Sequence, residues 1–368
     1  MPITRNRIIY AGQDILISDY PSWENQTGTY ALKLLQRVQS SAISITTPVT
    51  RGKQLGSSDF AFEKYTTGPE VQFNLDYLLS DNSNELLLGF AATGNGGILS
   101  NLAVTGRDRN IFCLLHDEDG KDARSLTNMV GSDVMSLGNC YPTNYSVSAA
   151  IGEIPKASVS FDCLNAQFQT YNALSEVPAI DLLNASKSTA TYLLDGPNLA
   201  ASNYISNQSS RPIALLPGNI ELFLEQPIQG GIRYSGAVPA SISSFQLNLP
   251  ITRKDLVGFG NNFPYDKRII FPLIGELSFN GTFDEPVTGD FSDIFINENK
   301  YDFAFNFKDE NGATGIRFEI LDAQLESQSF DLSIGGNLSF QSQFSFKVFK
   351  EDGLRISGAA RLTDSLSA

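Results

Sequence analysis

Between Tyr301 and Phe349 one pattern recurs three times. Tyr301, Phe303, Phe305 and Phe307 alternate with Asp302, Ala304 and Asn306. A strand turns successive side chains to opposite faces, so this run offers one aromatic face and one mostly polar face. Ile316, Phe318 and Ile320 repeat the alternation after a turn built on Asn311 and Gly312, and Leu338, Phe340, Phe344, Phe346 and Val348 repeat it again. Such runs, joined by short polar turns, predict an antiparallel sheet with one face committed to a core.

An echo of this region lies far upstream. Phe330 to Gly335 precedes Phe344-Ser345-Phe346, as Tyr145 to Gly152 precedes Val159-Ser160-Phe161. Val71-Gln72-Phe73-Asn74-Leu75 likewise resembles Phe245-Gln246-Leu247-Asn248-Leu249. Offsets of roughly 175 and 185 residues suggest one domain plan used twice. A chain of 368 residues has room for two cores. With 25 Phe and 13 Tyr against one Trp and three Met, its composition favours strands over helices. The expected fold is therefore mainly β, with an internal duplication.

The chain divides by composition into a first β domain (1–170), a connector (171–219), a second β domain (220–350) and a flexible tail (351–368). Residues 7–18 suggest a short hairpin or edge strands. Leu34, Leu35 and Val38 share a helical face, which predicts a short helix from Tyr30 to Val38 capped by Thr29. Ile43 to Thr47 suggests a strand ended by Pro48. Thr50 to Gly68 is polar and glycine-bearing, with Phe60 and Phe62 on its return limb, and predicts a long extended hairpin or loop. Glu70–Leu79 and Leu86–Phe90 are expected as strands about a polar turn, Asp81 to Asn84. Strands are expected too at Asn110–His116, Met129–Met135 and Tyr145–Phe161. The proline-bearing connector has little periodicity beyond a short helix near Ala179–Leu183. In the second half strands are expected near Ile220–Leu224, Phe245–Ile251 and Gly275–Phe283, and an amphipathic helix at Asp290–Ile296.

A net charge of −14 argues against attraction to nucleic acid, because duplex binding is driven by Lys and Arg releasing counterions from phosphate. Cys113, Cys140 and Cys163 have no metal-ligand spacing and read as small core residues in a reduced compartment. No basic start precedes an apolar run, and no stretch is long enough to span a bilayer, so synthesis in a cytoplasm without membrane insertion is expected. His116, the sole histidine, sits among Asp117, Glu118 and Asp119 and reads as a solvated turn residue. Asp117 to Asp122 lacks the spacing of a calcium loop. Gly94-Asn95-Gly96-Gly97 is not followed by Gly-Lys-Ser/Thr, and reads as a turn. Carboxylate pairs for glycoside hydrolysis have no local signature, and the aromatics alternate at strand period. The reading is of a non-enzyme with no catalytic residue, cofactor or metal. Arg253-Lys254 and Lys267-Arg268 form the main basic concentration. Their spacing lets them meet across a hairpin, and they read either as a contact with acidic residues of a neighbouring subunit or, paired with Asp255 and Asp266, as a solvated face.

A β-rich, acidic chain with long polar excursions fits a self-assembling structural protein. Pro69 to Leu79, Asn139 to Ser146 running into Ile151–Pro155, Gly258 to Pro272, and Ser327 to Gly335 together resemble strands and loops of the tail tube proteins of tailed bacteriophages, over about two thirds of the chain. That resemblance implies an antiparallel β-sandwich or barrel with one small flanking helix, and inner sheets that join between subunits around a lumen. It implies stacked rings in a virion tail, an acidic bore that conducts DNA during ejection without binding it, and tape measure, tail terminator and sheath proteins as partners. Rings of the family carry six tube domains, so a duplicated chain would form a trimer as a pseudo-hexamer, and a single-domain chain a hexamer. Residues 46–67 are the candidate inter-ring loop, with Arg51, Lys53, Asp59, Phe60, Phe62 and Lys64. Arg253, Lys254, Asp266, Lys267 and Arg268 are the subunit-interface candidates. The alternative is a β-sandwich binding module of a virion or cell surface, either a distal tail adaptor or a glycan-binding protein; a hydrolase on a β scaffold fits least.

Overall fold

A computed structural model describes residues 13–18, 29–65, 68–79, 81–91, 98, 102, 108–115, 131–182, 186–193, 220–224, 242–282, 299–308, 314–331, 339–349 and 353–358. The first half contributes β1 (Gln13–Ser18), β2 (Thr29–Leu34), β3 (Val38–Thr46), β4 (Val49–Lys53), β5 (Phe60–Tyr65), β6 (Glu70–Leu78), helix α1 (Ser83–Leu88), β7 (Arg109–Leu115), β8 (Asp133–Ala150), β9 (Lys156–Cys163) and β10 (Asn165–Thr170). Short strands follow: β11 (Ser175–Glu176), β12 (Ile180–Asp181), β13 (Ser186–Lys187) and β14 (Thr191–Leu193). The second half holds β15 (Ile220–Leu224), β16 (Ile242–Pro250), β17 (Arg253–Leu256), β18 (Asp266–Ile269), β19 (Leu273–Thr282), β20 (Tyr301–Lys308), β21 (Thr314–Asp331), β22 (Ser339–Val348) and β23 (Leu354–Gly358). The fold is mainly β and largely antiparallel, with β14 running parallel to β2.

One plan is traversed twice. The long strands β8 and β21 each change sheets at a residue of positive φ, Asn139 (φ 50) and Asp322 (φ 57). Asn and Asp tolerate this left-handed conformation better than other side chains. Before the switch, β8 lies between β7 and β10, and β21 between β20 and β23. After it, β8 pairs with β9 and β21 with β22, each past a register shift, at Pro142/Asn144 and at Leu325/Ser327. Strands β6 and β3 extend the first array as β19 and β16 extend the second. Strand β1 flanks β7 as β15 flanks β20. Hairpin β4–β5 interrupts β3 and β6 where β17–β18 interrupts β16 and β19. A constant offset relates Asn139 to Asp322, Pro142 to Leu325 and Phe161 to Phe344. A second relates Val38 to Ile242, Ile43 to Leu247 and Tyr65 to Ile269. The sequence echo of Tyr145–Phe161 in Phe330–Phe346 falls on the corresponding strands, two residues away from the structural offset. The resemblance of Val71–Leu75 to Phe245–Leu249 does not, because the counterpart of β6 is β19 and that of β16 is β3.

The two arrays join through antiparallel pairing of β8 with β16, Val147 opposite Leu247, which gives one sheet in the order β3-β6-β9-β8-β16-β19-β22-β21. Its inner face is apolar, as the alternation demands, and packs on the second layer. Phe245 meets Phe305 at 4.2 Å between ring centroids, and Phe303 meets Phe344 at 4.8 Å. Offset and edge-on rings add directional attraction to the apolar burial. Buried residues of both halves form one continuous cluster.

Several local expectations are overturned. The helix predicted from Tyr30 to Val38 is instead β2 and the start of β3, and Thr29, the expected cap, is the first residue of β2. Pairing with β1 and β14 outweighs a short helical stripe, and Arg37 at φ 54 breaks the path between the strands. Conversely, the strand expected at Leu86–Phe90 lies largely in α1. Gly89, left-handed at φ 85, closes that helix, its N–H directed to the Glu85 and Leu86 carbonyls. The helix expected at Ala179–Leu183 is replaced by the pairing of β12 with β13. Within the expected flexible tail, Leu354–Gly358 forms β23 on β21, with Leu354 and Ile356 buried. Cys113, Cys140 and Cys163 are free and buried, as expected, and burial pushes the Cys113 thiol up to about 12. The Arg7–Tyr10 run, Gly94–Gly97, His116 with its acidic turn, and Asp290–Ile296 lie outside the described residues.

Candidate functional site

The outer face of the eight-strand sheet is a polar carpet. Ser44, Gln72 and Asp162 lie side by side across β3, β6 and β9; Ser146, Asn248 and Glu276 do so across β8, β16 and β19. Ser329 and Gln341 continue it on β21 and β22. Short hydrogen bonds tie the carpet together: Ser40 Oγ and Ser158 Oγ donate to the two oxygens of Asp76 at 2.5 and 2.6 Å, and Asn280 Nδ2 donates to Ser244 Oγ at 2.8 Å. Glu70, Asp76, Asp162, Glu276 and Asp331 supply its carboxylates, against Lys156 and Lys347.

The sheet ends in two edges without a strand partner among the described residues. One is β3, mostly exposed along its length, with Ile45 45% accessible. The other is the last part of β21, where both polar side-chain atoms of Gln328 are buried without a hydrogen-bond partner. Unpaired edges of this kind are templates for further strands. Sequence reading located the strands but not these edges, since edge position is set by pairing among distant segments.

The two groups of candidate residues fall on corresponding hairpins. On β4–β5, Arg51 pairs with Glu63 at 2.7 Å, and Arg51 and Lys53 hang over the Phe60 ring at 5.6 and 5.9 Å. Asp59 Oδ1 accepts from the Phe60 N–H at 2.8 Å, Lys64 stands opposite Thr50, and the Phe62 ring lies where a side chain on Gly52 would project. All of β5 is exposed. On β17–β18, Lys254 faces Arg268 and Asp255 faces Lys267, so the basic residues do meet across a hairpin. Lys267, however, is buried and bound within the chain to Asp162 and, at 3.4 Å, to Asp255. Arg253 donates to the Pro142 carbonyl at 3.2 Å and stacks over Tyr141 at 5.3 Å. Asp266 and Arg268 pair with each other at 2.8 Å. The hairpin tips carry corresponding exposed apolar residues, Leu55 and Phe259, each followed by a left-handed glycine, Gly56 (φ 83) and Gly260 (φ 88). Asp162 and Tyr141, the partners of the second hairpin, escaped the sequence reading because they belong to strands of the other half.

One buried carboxyl group stands apart. Glu85 of α1 accepts from Tyr77 OH at 2.8 Å and from Tyr145 OH at 3.3 Å, and its other oxygen has no partner. Burial pushes it up to about 7, against the lowering effect of the Tyr77 hydroxyl. Its contacts bind the helix to the sheet, since both tyrosines are buried core residues.

No protein-family model matches the chain, and no curated protein does. Among solved structures it is similar to the SPP1 tail tube, with 12% identity over 58% of this chain and 98% of the other, at a TM-score of 0.31. It is also similar to the tail of an empty GTA particle refined with C6 symmetry, with 11% identity over 42% of this chain and 99% of the other (TM-score 0.24). A third is the tube-terminating cap of the anti-feeding prophage, with 13% identity over 43% of this chain and 100% of the other (TM-score 0.26). Overlaps of this size do not assign the chain to a family.

Proposed function

We propose that this protein is a non-enzymatic structural subunit of a phage-type tail tube in the virion, built from two tube-like repeats that correspond to the domains at 1–170 and 220–350. The observation that carries this reading is the repeat itself: two like arrays joined edge to edge, with the edges at β3 and β21 left without a strand partner among the described residues. A heterologous contact of that kind closes into a ring when its rotation allows, and three chains of two repeats supply the six tube domains that the resemblance to tail tube proteins implies. The polar carpet then faces the bore. Its carboxylates Glu70, Asp76, Glu276 and Asp331 and its many neutral amides and hydroxyls offer duplex DNA little cationic surface to hold it. The tips at Leu55 and Phe259 are the proposed contacts between stacked rings. Tape measure and terminator proteins are the partners such a tube would need, joined by sheath proteins in a contractile tail.

Negative-stain electron microscopy with mass photometry on the purified chain tests this. Rings or tubes of three chains around a hole wide enough for duplex DNA are expected. Rings of six chains reject the trimer, and a monomer at every concentration overturns the self-assembly reading.

A further inference from the structure

The internal junction between β8 and β16 gives a residue-by-residue register for joining one repeat to the next. We propose that the last part of β21 pairs antiparallel with β3 of a second copy in the register of that junction, an inference that rests on the self-assembly reading above. Within the chain, Leu247 faces Val147, Asn248 faces Ser146, Leu249 faces Tyr145 and Pro250 faces Asn144. Strand β16 corresponds to β3 and β8 to β21 through the shared register shifts at Val38/Ser40 and Ile242/Ser244, and at Pro142/Asn144 and Leu325/Ser327. Carried across, Phe330 faces Ile43 of the second copy, Ser329 faces its Ser44, Gln328 its Ile45, and Ser327 its Thr46.

The alternation of faces along the two edges fits this register and no pairing one residue away. Ser44 and Ser329 belong to the polar carpet and Ile43 and Ile45 to the opposite face, so the carpet runs on unbroken from one copy to the next. A slip of one residue would put serine on the core side. The partnerless amide of Gln328 lies on that same core side, as does Ile45, whose accessibility of 45% falls when the edge is covered. The same operation lays the bare β4–β5 hairpin of the second copy over β21 and β22, as β17–β18 lies over β8 and β9. Glu63 there takes the place of Lys267, and Ser345 that of Asp162, with Lys347 two residues along.

Disulfide trapping on the full chain tests the register. Facing residues of antiparallel strands alternate between wide and close pairs, so two consecutive pairs guarantee one of close geometry. Chains carrying Ser44→Cys are mixed with chains carrying Ser329→Cys, and Ile45→Cys with Gln328→Cys, then oxidised with a copper–phenanthroline reagent. The serine positions are exposed, which keeps that pair informative should the Gln328 variant fold poorly. At least one pair is expected to give linked dimers at least tenfold faster than the displaced pair Ser44→Cys with Ser327→Cys. Rings that form while the displaced pair links as fast or faster overturn the register and leave the tube reading standing. Neither rings nor cross-links overturns both.

Discussion

Hairpins β4–β5 and β17–β18 occupy the same place in two copies of one plan, yet one is bare and the other docked. In β5 every side chain is exposed, and the Arg51–Glu63 pair sits in solvent with both side chains about half accessible. In β18 the corresponding position is Lys267, buried between Asp162 and Asp255 and 5.7 Å from the centre of the Tyr141 ring. The difference lies in what surrounds each hairpin. The second has the first repeat beside it, and the chain supplies Tyr141 and Asp162 to receive it. The first has no such neighbour within the described residues of its own chain.

The largest expected effects test whether the two repeats are one folding unit. Phe161 and Phe344 hold corresponding positions, and both are buried in the same cluster. Phe161→Ala and Phe344→Ala should each cost roughly 3–5 kcal/mol. Each should also lower a single unfolding transition followed by calorimetry, because the core is shared. Two separable transitions, with each variant moving only one, would show that the repeats fold apart.

A second effect belongs to the first repeat. The Glu85 carboxyl ordinarily titrates near 4.5 and is pushed up to about 7 by burial. Its folded form favours the proton, so its contribution is complete below about 4.5 and is lost as pH rises to about 7. At most about 3 kcal/mol is involved. Melting curves of wild type and Glu85→Gln should differ in slope over that window, with the variant flatter. Parallel curves would remove Glu85 as the titrating group.

The smallest effects compare the hairpins directly. Lys267→Ala strips a buried cation from Asp162, which is itself partly exposed, and should cost about 2 kcal/mol in chemical denaturation. Glu63→Ala, at the corresponding position, should cost less than about 1 kcal/mol in the monomer. Equal costs would mean that the first hairpin is already docked. A rise in the cost of Glu63→Ala on ring formation would show that docking happens between chains.

Much of this architecture is legible in the sequence. The aromatic alternation of Tyr301–Phe307, Ile316–Ile320 and Phe340–Val348 is a strong period-2 signal, and all three runs are strands with that face buried. The excursion after Thr50 was legible as an extended hairpin or loop from its polar, glycine-bearing composition, and it is a hairpin with Phe60 and Phe62 on the return limb. Short elements were misread where context decides. Leu86–Phe90 looks like a buried strand by its apolar run, and only the left-handed turn at Gly89 and the tyrosines around Glu85 make most of it helical. Tyr30–Val38 carries a helical stripe too short to outweigh two neighbouring strands.

The candidate site divides along the same line. Arg253, Lys254, Lys267 and Arg268 could be seen to meet across a hairpin, because their spacing about the Gly258–Pro264 turn is local. That Lys267 would be buried against Asp162 could not, since the two residues belong to different repeats and no pattern in either segment names its partner. Local alternation and turn chemistry were enough to determine a mainly β chain, because the pleat imposes its period on every strand wherever it lies. Which strands became neighbours, which edges stayed open and which hairpin found a dock were decided by the tertiary structure, because those depend on register and burial between segments far apart in the chain.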